Sequence, residues 1–300
     1  MAEYSRFEGV FSIAPTPFNK DGTLDLDSIK TLVDFYIAKG VHGLTILGVM
    51  GEADRLLPEE RVRVIETFLS EVNGRMPVVI GTSHAGTIPA IALARQAERL
   101  GAAGVMVAPP PVAGGHQEQL LRDHFQAISD VISIPIVVQD YPPSSGVMLA
   151  TALLSDLAET VEHVEYLKLE DPPTPVKIGE VRRLAGDRLS IFGGLGGVFY
   201  LEELERGASG TMTGFAYPEI LVDIYNHYIQ GKRERAAEIF YRSLPLIRFE
   251  FQPVIGLAVR KEVFRRRGAI KTASTRAPSF SLDKGTVHEL TVLIARLGLG

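Results

Sequence analysis

Gly101-Ala102-Ala103-Gly104-Val105-Met106-Val107-Ala108 starts where an amphipathic segment stops and runs into a short β-prone stretch. Two other stretches behave the same way. Gly40-Val41-His42-Gly43 leads into Leu44-Thr45-Ile46-Leu47, and Gly207-Ala208-Ser209-Gly210 leads into Thr211-Met212-Thr213. In each, the first glycine is placed for a left-handed helix C-cap. The second allows a tight approach into a buried strand. The three stretches are 61 and 106 residues apart. Those distances suit two and three units of about 30–35 residues, the size of a βα repeat.

The segments between them alternate accordingly. Over residues 27–40 the apolar positions Ile29, Leu32, Val33, Tyr36 and Ile37 follow a helical rhythm with one buried face. Pro58-Glu59-Glu60 opens another helix, with proline in its first turn and two carboxylates at the positive end of its dipole. Strands are predicted at residues 10–14, 44–47, 78–81, 105–108, 134–138, 165–169, 190–193 and 211–213. Most are near-continuous apolar runs, as parallel strands covered on both faces require. Eight strands alternating with helices predict an α/β fold, a (β/α)₈ TIM barrel. Residues 1–217 form the barrel in this reading, and residues 218–300 supply additional C-terminal helices packed on it within a single domain.

Bulk properties narrow the function. The chain has 300 residues, 46% hydrophobic and 22% charged, with a net charge of −5 and no cysteine. The negative balance argues against nucleic acid as a partner. Without cysteine there are no disulfides, thiolate nucleophiles or Cys-ligated metals. The N-terminus lacks a signal-peptide pattern, and no apolar run reaches the ~18 residues of a membrane helix. A cytoplasmic protein without membrane attachment is expected. The seven histidines, His116 among them, form no His-x-His or His-x₃-His pair, so no metal is expected. Arg265-Arg266-Arg267 reads as a solvated helix face.

Active sites of such barrels lie at the C-terminal ends of the strands. Among those ends Lys168 is the outlier, inside Val164-Glu165-Tyr166-Leu167-Lys168-Leu169. Strand periodicity puts Tyr166, Lys168 and Glu170 on one face. If that face is the barrel interior, desolvation favours a neutral amine, the form that adds to carbonyls. A strand-edge lysine paired with Glu170 or Asp171 is the alternative.

The chain also resembles the dihydrodipicolinate synthase / N-acetylneuraminate lyase family along nearly its whole length. The likeness lies in Gly48-x-x-Gly51-Glu52-Ala53, in Pro135-Ile136-Val137-Val138 and in a lysine ending the sixth strand. It extends to Gly207–Thr213 and to the opening Gly9-Val10-Phe11, Ala14-Pro15-Thr16-Pro17-Phe18 and Asp21-Gly22. The resemblance implies class I aldolase-type chemistry, with Lys168 forming an imine with pyruvate or a longer 2-oxo acid and no cofactor. It also implies a homo-oligomer, dimer or tetramer.

Several family positions differ. Val49 and Met50 stand where hydroxyl residues are usual. Gln139 and Asp140 stand for tyrosine and asparagine, Pro110 and Pro111 for a tyrosine pair, and Ser144 for an arginine. What remains is similar to the 2-keto-3-deoxy-L-arabonate dehydratase group: Gln139-Asp140-x-Pro142, Lys168-x-Glu170, His84 and Leu244-Pro245-Leu246-Ile247. Glu170 is then the acid/base, about 6.5–7 Å along the strand from Lys168; pairing with a loop cation is its structural alternative.

The expected substrate contacts are Gly48, Val49, Met50, Glu52, His84, Gln139, Tyr141, Gly193 and Met212. For Tyr141 packing is the competing reading, for His84 a loop role, and for Gly193 mere space-keeping. The expected activity is that of a Schiff-base lyase or hydro-lyase on a 2-oxo acid such as a 2-keto-3-deoxy sugar acid. The alternatives are a pyruvate aldolase, a dihydrodipicolinate synthase-like condensing enzyme, or a barrel that binds 2-oxo acids without turnover.

Overall fold

In a computed structural model, residues 6–111 and 117–299 are described. Residues 1–5 and His116 therefore lie outside the described residues. Strands β1 (Gly9–Ile13), β2 (Gly43–Ile46), β3 (Val78–Gly81), β4 (Gly104–Val107), β5 (Ile136–Asp140), β6 (Val164–Leu169), β7 (Ser190–Gly193) and β8 (Gly210–Thr213) pair in chain order and close into a barrel, all parallel. Helices α1 (Leu26–Ala38), α2 (Pro58–Val72), α3 (Thr87–Leu100), α4 (Gln117–Ser129), α5 (Pro142–Ser145), α6 (Thr151–Thr160), α7 (Thr174–Ala185) and α8 (Tyr200–Glu205) fill the crossovers. Four more follow: α9 (Pro218–Ile229), α10 (Arg233–Glu250), α11 (Gly256–Arg266) and α12 (Lys284–Arg296). The fold is the (β/α)₈ barrel that the alternation predicts, with C-terminal helices added. Among the described residues no helix is long and apolar enough to cross a membrane.

The glycine pairs explain the joints. Gly40, Gly101 and Gly207 take positive φ of 72°, 102° and 92° at helix ends, where a side chain would be strained. The second glycines begin their strands instead of preceding them, because neighbours press on them. A Cβ at Gly43 would come within 2.3 Å of the Phe11 ring, and one at Gly210 within 1.9 Å of the Gly9 carbonyl.

Inside the barrel, Phe7 stacks on Tyr166 at 4.7 Å between centroids, and Phe11 meets Phe192 edge-on at 5.4 Å. This aromatic floor closes the interior below Lys168, whose register partner on β7 is Phe192. The C-terminal helices are bolted to the barrel by Lys261 of α11. Its buried ammonium donates to the carbonyls of Thr16 and Ser274, each at 2.8 Å, and to Glu52 Oε1 at 2.5 Å.

The arginine run is not uniformly solvated. Arg265 and Arg266 pair with Glu262 at the surface. Arg267 instead lies between the Phe35 and Tyr217 rings and pairs with Glu219. The charged head finds a partner while the planar guanidinium packs on aromatic faces.

Candidate active site

The C-terminal ends of the strands surround a cavity of about 480 Å³. Its wall includes Gly48, Val49 and Met50 after β2, Ser83 after β3, and Gln139 and Tyr141 from the end of β5. Gln139 is the register partner of Lys168 on β6. Just behind that wall Lys168 Nζ lies 2.8 Å from Glu170 Oε2, and Gln139 Nε2 donates to the same oxygen at 3.0 Å. The other carboxylate oxygen, Oε1, accepts from the Leu195 N–H at 3.4 Å. Lys168, Glu170 and Gln139 are all buried. The strand alternation thus turns Lys168 inward, as its period of two requires, and the fixed partner of Glu170 is Lys168 rather than a loop cation.

Two glycines, the last of β7 and the one that follows it, make room for acidic side chains. A Cβ on Gly194 would sit 2.3 Å from Glu170 Cγ, and one on Gly193 would sit 1.7 Å from Glu203 Oε2. Gly193 is therefore a correction: the space it keeps belongs to Glu203, and Gly194 is the residue that admits Glu170. Glu203 accepts from the Thr174 hydroxyl at 2.6 Å, and burial pushes its carboxyl up to about 8.

Two further expectations change, and Glu52 keeps its place in the cavity lining, where the backbone is expected to meet the substrate. Its carboxylate is taken up by Lys261, by Arg55 Nη1 at 2.8 Å and by the Arg276 N–H at 2.8 Å, so it has nothing left for a substrate. His84 is exposed, and its Nδ1 accepts from the Gly86 N–H at 2.9 Å, which serves the turn into α3. Met212 is fully buried in β8 beside Phe11 and belongs to the core. Tertiary packing claims Met212 and the Glu52 carboxylate, and a hydrogen bond within its own loop claims His84 Nδ1.

Tyr141 lines the cavity, half-buried; burial and then the nearby Glu170 push its phenol above its ordinary value. Asp140 points away from the cavity to Lys177 at 2.6 Å, and burial, opposed by Lys177, pushes its carboxyl up to about 6. Lys177 also reaches Asp171 at 2.8 Å. Sequence reasoning missed Ser83, whose hydroxyl accepts from the Ala108 N–H at 2.8 Å, and Arg260 of α11. Ser83 adjoins the chosen His84 and was legible as a strand-end hydroxyl. Nothing local marks Arg260, because it reaches the cavity from the C-terminal helices.

A buried lysine in contact with a carboxylate, beside an open cavity, can exchange a proton over one hydrogen bond and then act as a nucleophile. Known proteins are similar to the chain over most of its length. Residues 6–297 match the dihydrodipicolinate synthetase family. An L-2-keto-3-deoxyarabonate dehydratase of Azospirillum brasilense is 35% identical over 295 residues, covering 97% of this chain and 95% of that one. A 4-hydroxy-tetrahydrodipicolinate synthase of Pelobacter propionicus is 31% identical over 236 residues, 78% and 79% of the two chains. A crystal structure of dihydrodipicolinate synthase from Rhodopseudomonas palustris superposes with a TM-score of 0.91 at 38% identity, covering 97% of each.

Proposed function

Because the chain belongs to the dihydrodipicolinate synthetase family, whose members are Schiff-base, pyruvate-dependent lyases, we propose that Lys168 forms the imine and Glu170 moves the protons. The observation that carries this is the 2.8 Å contact between Lys168 Nζ and a carboxylate held in place by Gln139.

Glu170 takes the ammonium proton, and the freed amine adds to C2 of a 2-oxo acid. Glu170 returns that proton to the carbinolamine hydroxyl, which leaves as water, giving an iminium and restoring the Glu170 carboxylate. That positive nitrogen acidifies C3, and Glu170 removes a C3 proton to form an enamine. When C4 carries a hydroxyl, the enamine electrons expel it with the proton held by Glu170, so water forms; a water molecule then hydrolyses the conjugated iminium, freeing Lys168 and an unsaturated 2-oxo acid. Backbone groups around Gly48, Val49 and Met50 hold the substrate carboxylate, with Gln139 and Tyr141 beside the reacting carbons.

The substrate class we propose is a 2-oxo-3-deoxy sugar acid. The dehydratase relative supports it, as does a carboxylate acid/base at the imine lysine. A condensing synthase is the second reading, because relatives of that kind match over most of the chain. Ser144 stands where the resemblance places the arginine that grips the aldehyde substrate, which favours dehydration.

Purified protein should release water from a 2-keto-3-deoxypentonate and give little condensation of pyruvate with aspartate semialdehyde. Efficient condensation without dehydration reverses the choice.

We further propose that residues 1–217 and 218–300 form one domain, a reading supported by Lys261 joining α11 to Thr16 and Glu52. A cytoplasmic homo-oligomer, dimer or tetramer, fits the family and the absence of cysteine. Size-exclusion chromatography with light scattering tests the assembly.

A further inference from the structure

One wall of the cavity comes from the C-terminal helices and their connection: Phe251, Gln252, Pro253, Val254 and Arg260. Arg260 is 8% exposed. Among the described residues its guanidinium meets no hydrogen-bond acceptor. The nearest carboxylate oxygen, Glu250 Oε2, is 3.9 Å from Nε. Glu250 is fully buried, accepts from the Ala216 N–H at 2.9 Å, and has its carboxyl pushed up to about 7 by burial. It therefore balances the arginine only in part.

Phe251 lies 6.0 Å from Cζ, and the other groups whose charge or dipole reaches the guanidinium are Glu170, Tyr141 and Tyr36. The other two arginines that line the cavity each have an acceptor for a terminal nitrogen, although the buried Arg61 Nε is unpartnered among the described residues. Arg61 donates to the Gly81 carbonyl at 3.0 Å, and Arg55 donates to Glu52 and to the Arg276 carbonyl.

A guanidinium carries five N–H donors in one plane and accepts nothing. Burying those donors unpaired is costly. The cost is recovered when a ligand brings acceptor oxygens to them. Resting on the reading that Lys168 holds C2, we infer that Arg260 binds the far end of the substrate by donating to an oxygen beyond C3. Arg260 lines the same cavity as Tyr141 and as Gln139, the residue that holds Glu170, so a ligand with C2 at Lys168 and C4 near Glu170 has its far end within that shared space. Hydroxyl, oxo and carboxylate oxygens all qualify as acceptors, and an alkyl tail does not. A site built to donate hydrogen bonds rejects the analogue that lacks the acceptor more strongly than an apolar pocket rejects a missing methylene. Arg260 thus selects oxygenated 2-oxo acids over plain ones.

The test is calorimetric binding of pyruvate, 2-oxobutanoate, 4-hydroxy-2-oxobutanoate and 2-oxoglutarate to wild type, Arg260→Met and Arg260→Lys. Borohydride trapping is run in parallel. In Arg260→Met the affinity ratio of oxygenated to plain ligands should fall by about 10- to 100-fold, the worth of a charged hydrogen bond. Whichever of the 4-hydroxy acid and 2-oxoglutarate loses more identifies hydroxyl or carboxylate as the natural group. Arg260→Lys, which keeps the charge but not the fork, should lose part of the ratio and decides the matter if the methionine variant does not fold. Unchanged ratios, or equal weakening of all four ligands, overturn the inference. Absence of trapping in wild type breaks the Lys168 reading instead and leaves the affinity ratios to judge Arg260.

Discussion

Among the described residues two buried lysine–glutamate pairs look alike on paper and differ in what surrounds them. Lys261 and Glu52 lie 2.5 Å apart, and their side chains are 0% and 1% exposed. The Lys261 ammonium has three acceptors, and Glu52 accepts from three donors. Nothing is left over. Lys168 and Glu170 lie 2.8 Å apart, and Lys168 has that single carboxylate as its polar partner among the described residues. Gln139, which steadies Glu170, is itself a wall of the cavity. A saturated pair can only hold the fold together. A pair with spare hydrogen-bonding capacity beside a cavity can exchange its partner for a substrate, and that difference separates structure from chemistry here.

Chemical trapping probes the comparison most sharply. Pyruvate and borohydride should fix an adduct on Lys168 and on neither Lys261 nor Lys177, as read by peptide mass mapping. Lys168→Ala should lose both trapping and turnover to the detection limit while its circular dichroism stays native. An adduct on Lys261 would invert the assignment of the two pairs.

The next effect is on rate. Glu170→Gln should slow turnover by about 10²–10⁴-fold, the usual worth of a placed general acid/base, and still allow an imine to form. Wild-type turnover in that variant would make Glu170 as structural as Glu52.

The Lys261 pair should answer in stability instead. Lys261→Met leaves Glu52 buried without its ammonium, so unfolding free energy should drop by about 3–5 kcal/mol in urea titrations. The protein that remains folded should still be trapped at Lys168. A large loss of trapping with little loss of stability would contradict the division of roles.

The smallest effect comes from a buried group that has neither an opposite charge nor a cavity. Burial pushes the His124 imidazole down to about 4; its Nδ1 shares a 2.9 Å hydrogen bond with Thr87 and its Nε2 is unpartnered. The unfolded chain protonates near 6.5, above the folded value. Stability should therefore fall as pH drops from about 6.5 to about 4, by roughly 2–3 kcal/mol, and level off below. His124→Gln should flatten that part of the profile, measured by urea unfolding at several pH values. An unchanged slope would assign the acid sensitivity to other groups.

What the sequence determined by itself was everything carried by short-range periodicity. The glycine pairs at Gly40/Gly43, Gly101/Gly104 and Gly207/Gly210 announced helix ends and strand starts, because backbone sterics act within a few residues. Eight strands alternating with helices left the barrel as the architecture, and the strand period of two put Lys168 and Glu170 on one face. Tertiary structure decided which polar side chains were already spoken for. Glu52 and Lys261 are 209 residues apart, so no local pattern could show that Gly-x-x-Gly-Glu delivers its carboxylate to α11 and not to the cavity. Met212 sinks into the core, and Arg260 arrives from a helix beyond the barrel. A hydrogen bond is settled by whichever partner chain closure brings within about 3 Å, and that proximity exists only after the barrel and its added helices have packed.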